Sequence, residues 1–190
     1  MQQPSRQHPT VPGGTGNDAA AGRIGVLFVC LGNICRSPLA EGAFRRVLAE
    51  RHLADRFVVA SAGISDFHFG EPPDPRAIAV AAARGIDISA QRSRPIRPGD
   101  FLAFDWILAM DAANLTALDG AAPDHALAHV GLLLDVAEGR PEAVPDPYYD
   151  DRAAFERVLD TVSAAAEKLA DRLVAEAQAA GAAPPKRRST

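Results

Sequence analysis

The sequence predicts an α/β fold in which a parallel sheet lies between two layers of helices. Short apolar segments alternate with segments of helical periodicity along most of the chain. That alternation is typical of parallel strands joined by helical crossovers. Ligands of such sheets bind beyond the carboxyl ends of the strands, so residues that directly follow strands are the candidates for a functional site.

Four apolar segments have the length of buried strands, and the last has the weakest pattern. They span residues 23–29, 56–60, 106–110 and 126–130. A Ser-Ala-Gly turn at 61–63 is expected to end the second strand, and the Pro-rich residues 64–75 to form a loop. Cys30, Ser61 and Asp111 each follow a predicted strand and can therefore gather at one edge of the sheet.

The helical segments alternate with these strands. They are predicted at residues 37–52, 76–83, 111–118 and 151–180. Gly85 is expected to end the second helix, and Asp111 to cap the third. The last segment is long and amphipathic, which predicts a helix with one buried face.

Composition favours a single globular domain. The chain has 190 residues, of which 47% are hydrophobic and 23% charged, and this is enough for a core. A net charge of −4 predicts no nucleic-acid partner. Apolar runs are too short to span a membrane, and residues 1–17 lack the apolar centre of a signal peptide. Two cysteines give no disulfide framework, which fits a reducing cytoplasm.

The two ends of the chain differ in composition from the rest. Residues 1–22 are rich in Gln, Pro, Gly, Thr and Ala and show no periodicity, and residues 181–190 are polar. Both are predicted to be disordered tails. Residues 23–180 are predicted to form the domain.

The most informative segment lies between the first strand and the first helix. Residues 29–38 read Val-Cys-Leu-Gly-Asn-Ile-Cys-Arg-Ser-Pro. A helix start presents free N–H groups and the positive end of the helix dipole, which together favour a phosphate dianion. The same surroundings stabilise a thiolate, so Cys30 is the candidate nucleophile.

The residues after Cys30 suit a loop that curls around a tetrahedral anion. Gly32 and Asn33 both tolerate the left-handed backbone, so the loop is expected to bend back under Cys30. Arg36 offers a planar fork for two phosphoryl oxygens, and the Ser37 hydroxyl can hydrogen-bond the thiolate. The candidate phosphate-binding residues are Leu31, Gly32, Asn33, Ile34, Cys35 and Ser37.

This loop and four further motifs resemble the low-molecular-weight protein tyrosine phosphatases. The motifs follow the order of that family over residues 23–180. They are residues 29–38 with Glu41, Ser-Ala-Gly at 61–63, residues 70–77, residues 105–111 with Asn114, and Asp-Pro-Tyr-Tyr at 146–149. The resemblance implies a three-layer α/β/α, Rossmann-like fold of the phosphotyrosine protein phosphatase I type, with a central four-stranded parallel sheet.

The resemblance also implies a two-step hydrolysis of phosphotyrosine. Cys30 attacks phosphorus while Arg36 and the loop amides hold the equatorial oxygens, and a cysteinyl-phosphate forms. Asp146 matches the general acid of the family, which afterwards activates water; without the resemblance, its Asp-Pro pair would favour a simple turn. Arg36 and the loop dipoles supply the positive charge, and no His or Cys cluster has metal-ligand spacing, so no metal or other cofactor is expected.

Two positions are expected to support the loop from behind. By resemblance, Ser61 hydrogen-bonds Asn33, although it could also be an ordinary turn serine. Gln91 stands where many relatives have a histidine. A glutamine donates a hydrogen bond but carries no charge, so this departure puts the supporting network in doubt rather than the reaction.

Substrate choice is expected to come from the rim of the pocket. Tyr148 and Tyr149 follow Asp146, and Phe67 stands where relatives often carry tryptophan. An aromatic slot suits a phenyl ring, although Phe67 could instead anchor its loop to the core. Cys35 either forms a disulfide that protects Cys30 from irreversible oxidation or is a small buried residue.

Three alternative functions differ in the residues that they need. Arsenate reductases share the loop but use further cysteines, and this chain has only two. Phosphoarginine phosphatases of the same family carry threonine at the position of Ile34, which makes that activity the second choice. An inactive phosphotyrosine-binding module would have no need for Cys30 and Asp146.

The partners implied by the resemblance are phosphotyrosine proteins, with a tyrosine kinase among the candidates. Phosphate or sulfate is expected to bind the loop. The chain is expected to be a monomer or a weak dimer in the cytoplasm, and export by a non-classical route leaves no sequence signal.

Overall fold

The computed structural model describes residues 22–182, and the side chains of residues 22–179. Its four strands form one parallel sheet in the order β2-β1-β3-β4. The strands are β1 Ile24–Cys30, β2 Phe57–Gly63, β3 Trp106–Ala109 and β4 His129–Leu132. Their carboxyl ends lie at one edge of the sheet, where Cys30 pairs with Gly63 and Val29 with Ala109. The predicted fold class is confirmed.

Helices follow the strands and supply the outer layers. They are α1 Arg36–Glu50, α2 Pro75–Ala82, α3 Asp100–Ala103, α4 Ala112–Ala121, α5 Leu133–Glu138 and α6 Arg152–Ala182, with a 3-10 helix at Ala54–Arg56. Gly85 follows α2 with a φ of +72°, and the Asp111 side chain accepts a hydrogen bond from Asn114 N at 2.7 Å at the start of α4. The expected ends of these two helices are thus confirmed.

Successive residues of β1 point into two separate cores, because side chains alternate along a strand. Phe28 lies in the larger core with Phe44 of α1 and Leu159 of α6. Leu27 lies in the smaller core with Leu118 of α4. Helices therefore cover both faces of the sheet, and the carboxyl edge between them remains open for a site.

The second strand is longer than the sequence indicated. Ser-Ala-Gly at 61–63 was expected to end it, but these residues continue the pairing with β1 up to Cys30. Small side chains at a strand end look like a turn in the sequence. Here they allow β2 to run alongside the loop that follows Cys30.

Short elements and boundaries account for the other differences. The helices α3 and α5 have four and six residues, which is too short to show helical periodicity. The weakest predicted strand, 126–130, lies at His129–Leu132, and α6 ends two residues beyond its predicted end. Apart from residues 22, 181 and 182, the two predicted tails lie outside the described residues. None of the described helices is apolar enough over a sufficient length to cross a membrane.

Candidate active site

The loop between β1 and α1 is anchored through four of its carbonyl groups. The hydrogen bonds are Ile64 N to Cys30 O (2.9 Å), Ser65 N to Leu31 O (2.9 Å), Ser93 Oγ to Gly32 O (2.9 Å) and Asp74 N to Ile34 O (2.8 Å). The carbonyl and N–H of a trans peptide point in opposite directions, so the N–H group that follows each of these carbonyls is turned away from its anchor. These N–H groups therefore face the interior of the loop, as binding of a tetrahedral anion requires.

The two residues expected to bend this loop behave differently. Asn33 has a φ of +55°, which is the left-handed region, but Gly32 is not in that region. Space around Gly32 is tight, because a Cβ atom there would lie 3.0 Å from Cδ2 of the partly exposed His68 ring. A Cβ atom at Gly63 would likewise lie 2.9 Å from Leu31 O. Both glycines thus allow neighbouring segments to pack tightly around the loop.

The thiol of Cys30 lies at the base of the loop and is buried. Its Sγ atom is 3.1 Å from the hydroxyl oxygen of Ser37, which is the contact that the sequence predicted. Asn33 Nδ2 donates to the same hydroxyl oxygen at 3.0 Å. The hydroxyl of Ser37 also lies 3.3 Å from the carbonyl oxygen of Ala62, so its one proton can go either to that oxygen or to a thiolate at Cys30, and the shorter contact is the one to Cys30.

A chain of buried polar groups continues from Asn33 to the surface. Asn33 Nδ2 also donates to Ser61 Oγ at 2.9 Å, and Ser61 Oγ donates to Glu41 Oε2 at 2.6 Å. Arg45 Nε donates to the other oxygen of Glu41 at 2.9 Å. Behind the thiol, a continuous hydrogen-bond network therefore runs to the buried carboxylate of Glu41, whose charge is paired with that of Arg45. On the opposite side, Arg94 N donates to Asn33 Oδ1 at 3.0 Å.

Arg36 is 3% exposed and binds two carboxylates. Its Nη1 atom donates to Asp111 Oδ2 at 2.6 Å and to the carbonyl oxygen of Val144 at 3.2 Å. Its Nη2 atom donates to Asp146 Oδ2 at 2.7 Å. A buried cation needs such partners, and here they fix the plane of the guanidinium at the mouth of the loop.

Asp146 reaches the site from the segment between α5 and α6. Val144 N donates to Met110 O at 2.8 Å, which attaches the middle of this segment to the residue that follows β3. Tyr148 N donates to Asp146 Oδ1 at 3.2 Å, while the other carboxyl oxygen contacts Arg36. The proline on either side of Asp146 restricts the backbone further.

The second cysteine differs from the first in its surroundings. Burial, followed by the charge of the nearby Asp74, raises the pKa of the Cys35 thiol well above its usual range. Cys35 is therefore a neutral thiol at physiological pH. Both cysteines are free in the structure.

A cavity of about 330 Å³ opens above the loop. The predicted rim residues Phe67, Tyr148 and Tyr149 line it together with Cys30, Arg36, Asp146, Leu31 and Ile34. The Phe67 side chain is 86% exposed, so it does not anchor its loop to the core. Tyr148 and Tyr149 pack edge to face with ring centroids 4.9 Å apart. The cavity is therefore aromatic at its mouth, with the thiol of Cys30 and the guanidinium of Arg36 in its lining.

Gln91 does not join the network behind the loop. Its Nε2 atom donates to the carbonyl oxygen of Pro38 at 3.3 Å, in the first turn of α1. Ser93 and Arg94 also hold the loop, and Arg45 holds the network behind it, but no sequence motif marks these three residues. The segment that carries Ser93 and Arg94 has no periodic pattern, and only the tertiary structure brings it to the loop.

A thiol at the base of an anion-binding loop, with a buried arginine at its mouth, defines a phosphatase that works through cysteine. Comparison with known proteins gives the family. Residues 25–179 match the family described as "Low molecular weight phosphotyrosine protein phosphatase". The chain belongs to this family, and the resemblance seen in the sequence is confirmed.

Relatives and solved structures agree with this assignment. The chain is 41% identical over 135 residues to the low molecular weight phosphotyrosine protein phosphatase of Sus scrofa, covering 70% of this chain and 85% of the relative. It is similar to the crystal structure of YfkJ from Bacillus subtilis, with 37% identity, a TM-score of 0.76 and coverage of 83% and 98%. A structure of Vibrio vulnificus Wzb in complex with benzylphosphonate matches with 30% identity, a TM-score of 0.70 and coverage of 80% and 99%.

Proposed function

We propose that this chain hydrolyses phosphotyrosine through a cysteinyl-phosphate intermediate. The observation that carries the proposal is that Cys30, Arg36 and Asp146 line the same cavity. They supply a nucleophile, a cation for the phosphoryl oxygens and a proton donor, which are the groups that phosphoryl transfer to a cysteine requires. Residues 23–180 form the catalytic domain in this proposal.

In the first step the Cys30 thiolate attacks phosphorus in line with the bond to the phenolic oxygen. The S–P bond forms, the P–O bond breaks, and Asp146 gives its proton to the departing oxygen. The Arg36 guanidinium and the inward N–H groups of the loop stabilise the charge on the equatorial oxygens; these N–H groups belong to Leu31, Gly32, Asn33 and Cys35. Tyrosine is released, and Asp146 is left as a carboxylate.

In the second step water attacks the phosphorus of the cysteinyl-phosphate. Asp146 takes a proton from this water, the S–P bond breaks, and inorganic phosphate leaves. The Ser37 hydroxyl, 3.1 Å from Cys30 Sγ, donates a hydrogen bond to the thiolate that departs. Cys30 and Asp146 thereby return to their starting states.

Arg36 has to change one of its partners during this cycle. Without substrate its two terminal nitrogens bind Asp111 and Asp146. A phosphoryl group in the loop offers oxygens that match the guanidinium fork, and it repels the Asp146 carboxylate. Asp146, once released from Arg36, takes up the proton that it later gives to the leaving oxygen, while Asp111 keeps Arg36 in place.

The shape of the cavity favours an aryl phosphate. Leu31 and Ile34 are apolar, and the rings of Phe67, Tyr148 and Tyr149 surround the entrance. A phenyl ring fills such a slot and places its phosphate at the base. The Wzb complex supports this, because benzylphosphonate also carries a phenyl ring and a phosphorus group.

Ser61 and Gln91 support the site from behind in different ways. Ser61 links Asn33 of the loop to the buried carboxylate of Glu41. Gln91 instead holds the first turn of α1 through Pro38. We infer that the network behind the loop does not depend on residue 91 in this chain.

We infer that Cys30 is sensitive to oxidants and that Cys35 limits the damage. Peroxide would convert the Cys30 thiolate to a sulfenic acid, and the Cys35 thiol would condense with it to give a disulfide and water. A thiol reductant would reverse this step. Such chemistry, and the need for a thiolate, fit the reducing cytoplasm as the place of action.

The partners in this proposal are proteins that carry phosphotyrosine, with a tyrosine kinase as one candidate, and the chain acts as a monomer or weak dimer. Inorganic phosphate, as product, and sulfate, as its analogue, occupy the loop. A phosphotyrosine peptide enters with its ring between the rim residues and its backbone outside the cavity.

Phosphate release from a phosphotyrosine peptide tests the proposal. Wild type should release phosphate in the presence of a chelator, while Cys30→Ser should release none and still bind the peptide. A phosphoarginine peptide in parallel distinguishes the second choice of substrate, which we expect to be hydrolysed far more slowly. Binding of the phosphotyrosine peptide without turnover by wild type would contradict catalysis and favour a binding module.

A further inference from the structure

Arg76, in the first turn of α2, binds the backbone of the segment that carries Asp146. We call residues 145–150 the acid loop. Arg76 Nη2 donates to the carbonyl oxygen of Tyr148, and Nη1 donates to that of Asp150, each at 3.0 Å. The guanidinium also lies over the Phe155 ring, with its carbon 4.5 Å from the ring centroid. One side chain thus contacts the acid loop at two points and the start of α6 at a third.

The other side of the Arg76 guanidinium is held by Asp74. Arg76 Nε donates to Asp74 Oδ1 at 3.0 Å, and Nη2 donates to Oδ2 at 2.8 Å. These hydrogen bonds lower the pKa of the Asp74 carboxyl, so the pair stays charged. The backbone N–H of Asp74 anchors Ile34 O in the phosphate-binding loop at 2.8 Å. Arg76 therefore connects the acid loop to a residue that also holds the phosphate-binding loop.

The acid loop has few other attachments. Pro145 and Pro147 have no N–H to donate, and the hydrogen bond from Asp150 N to Pro147 O stays within the loop. Behind the loop, a cavity of about 220 Å³ separates it from α6. Among the described residues, hydrogen bonds reach residues 145–150 from the rest of the chain through Arg36 and Arg76.

The attachments of the acid loop to Arg36 and to Arg76 are available at different stages of the reaction. In the proposed function, Arg36 turns its Nη2 atom to the phosphoryl group, and Asp146 loses that contact. The Asp146 carboxyl keeps its hydrogen bond from Tyr148 N at 3.2 Å, and the Tyr148 carbonyl is held by Arg76. When the proton is transferred, the position of Asp146 therefore depends on two hydrogen bonds in series, from Arg76 to the Tyr148 carbonyl and from Tyr148 N to Asp146.

We propose that Arg76 is a positioning residue that holds the acid loop, and through the Tyr148 peptide the Asp146 carboxyl, against the leaving oxygen. This inference rests on the proposed function. Arg76 does not line the substrate cavity, and Ile34 is anchored by the backbone N–H of Asp74 rather than by the carboxylate that Arg76 binds. Its loss should therefore harm proton donation and leave phosphate binding intact.

The dependence of rate on the leaving group tests this role. Phenyl phosphate needs a proton on its departing oxygen much more than p-nitrophenyl phosphate does. Arg76→Met, which keeps an apolar stem over Phe155, should lower kcat/KM for phenyl phosphate by about tenfold or more, within the roughly 10²- to 10⁴-fold range of a complete general acid. For p-nitrophenyl phosphate the loss should be about threefold or less.

Two further variants make the result decisive. Arg76→Lys keeps the charge but cannot contact both carbonyls and Asp74 together. It should therefore show the same selective loss for phenyl phosphate in weaker form. It also replaces Arg76→Met in the test if that variant does not fold. In an Asp146→Asn background, Arg76→Met should have no selective effect, because there is no acid left to position. Arg84→Met is the matched control, since Arg84 pairs with Asp160 of α6 without touching the acid loop.

The outcomes separate this inference from the proposed function. An equal loss on both substrates in Arg76→Met and Arg76→Lys would overturn the positioning role, as would a selective loss that persists in the Asp146→Asn background. A selective loss in Arg84→Met would assign the effect to the packing of α2 on α6 and also overturn it. If Asp146→Asn itself shows no selective loss, the role of Asp146 as the acid fails, and that of Arg76 fails with it.

Discussion

Arg36 and Asp146 form an ion pair across the mouth of the phosphate-binding loop, with Nη2 and Oδ2 2.7 Å apart. The side chain of Arg36 is buried, whereas that of Asp146 is 45% exposed. Arg36 is therefore held in place, whereas Asp146 can move. Substrate phosphate can replace the carboxylate without leaving the buried cation unpaired, because Asp111 remains bound at 2.6 Å.

Replacing Asp111 tests the fixed side of this arrangement. Asp111→Asn keeps the cap of α4 but removes the charge that holds Arg36 Nη1. Arg36 then has one anionic partner, Asp146, and we expect substrate to compete less well for it. The value of kcat/KM for a phosphotyrosine peptide should fall by about tenfold or more, mainly through KM. Asp105→Asn, at the opposite end of β3, is the control and should change KM by less than about twofold.

Anion binding should stabilise the fold measurably. Inorganic phosphate binds the folded loop and has no comparable site in the unfolded chain. At about 100 times its dissociation constant it should raise the free energy of unfolding by roughly 2.7 kcal/mol. Thermal melting with increasing phosphate, at constant ionic strength, measures this shift.

The variant Arg36→Met separates specific binding from a general salt effect. It removes the guanidinium that the anion needs, so its melting temperature should no longer respond to phosphate. An equal response in wild type and Arg36→Met would place the phosphate elsewhere on the molecule. Sulfate should act like phosphate, because it has the same tetrahedral shape.

Much of the site was predictable because it is local in the sequence. Cys30 and Arg36 belong to one loop, and the strand before it and the helix after it have clear patterns. Ser93 could not be found this way, since it reaches Gly32 from 61 positions away and lies in an irregular segment. Gly32 shows a different limit. It does not use the left-handed backbone that glycine tolerates, and its close approach to the His68 ring is visible only in the folded structure.

The buried carboxylate of Glu41 should depend on Arg45 for its stability. Arg45→Met leaves Glu41, whose side chain is 9% exposed, with the hydroxyl of Ser61 and without its charged partner. The free energy of unfolding should fall by about 1–3 kcal/mol, because an ionised group would remain buried without full compensation. Urea denaturation measures this change.

An exposed pair with the same spacing, although in the reverse order along the helix, provides the control for Arg45. Arg152 and Glu156 are also four residues apart on a helix, but both side chains are largely exposed. Arg152→Met should therefore cost no more than about 0.5 kcal/mol. Equal losses in the two variants would mean that the burial of Glu41 does not matter. Glu41→Gln should restore part of the stability of Arg45→Met, since it removes the uncompensated charge.

Cys35 should protect Cys30 slowly rather than at once. Its pKa is raised by burial, by Asp74 and by the charge of Cys30 itself, so little Cys35 thiolate is available to attack an oxidised Cys30. Oxidation of Cys30 to a neutral sulfenic acid removes the negative charge of Cys30, so this contribution to the raised pKa of Cys35 is lost and the attack becomes easier.

After brief peroxide treatment, dithiothreitol should restore most activity in wild type and clearly less in Cys35→Ala. Recovery should also increase with pH during the interval before reductant is added, because a higher pH produces more Cys35 thiolate. Equal recovery in both proteins would rule out the protective role and leave Cys35 as a buried residue of the loop.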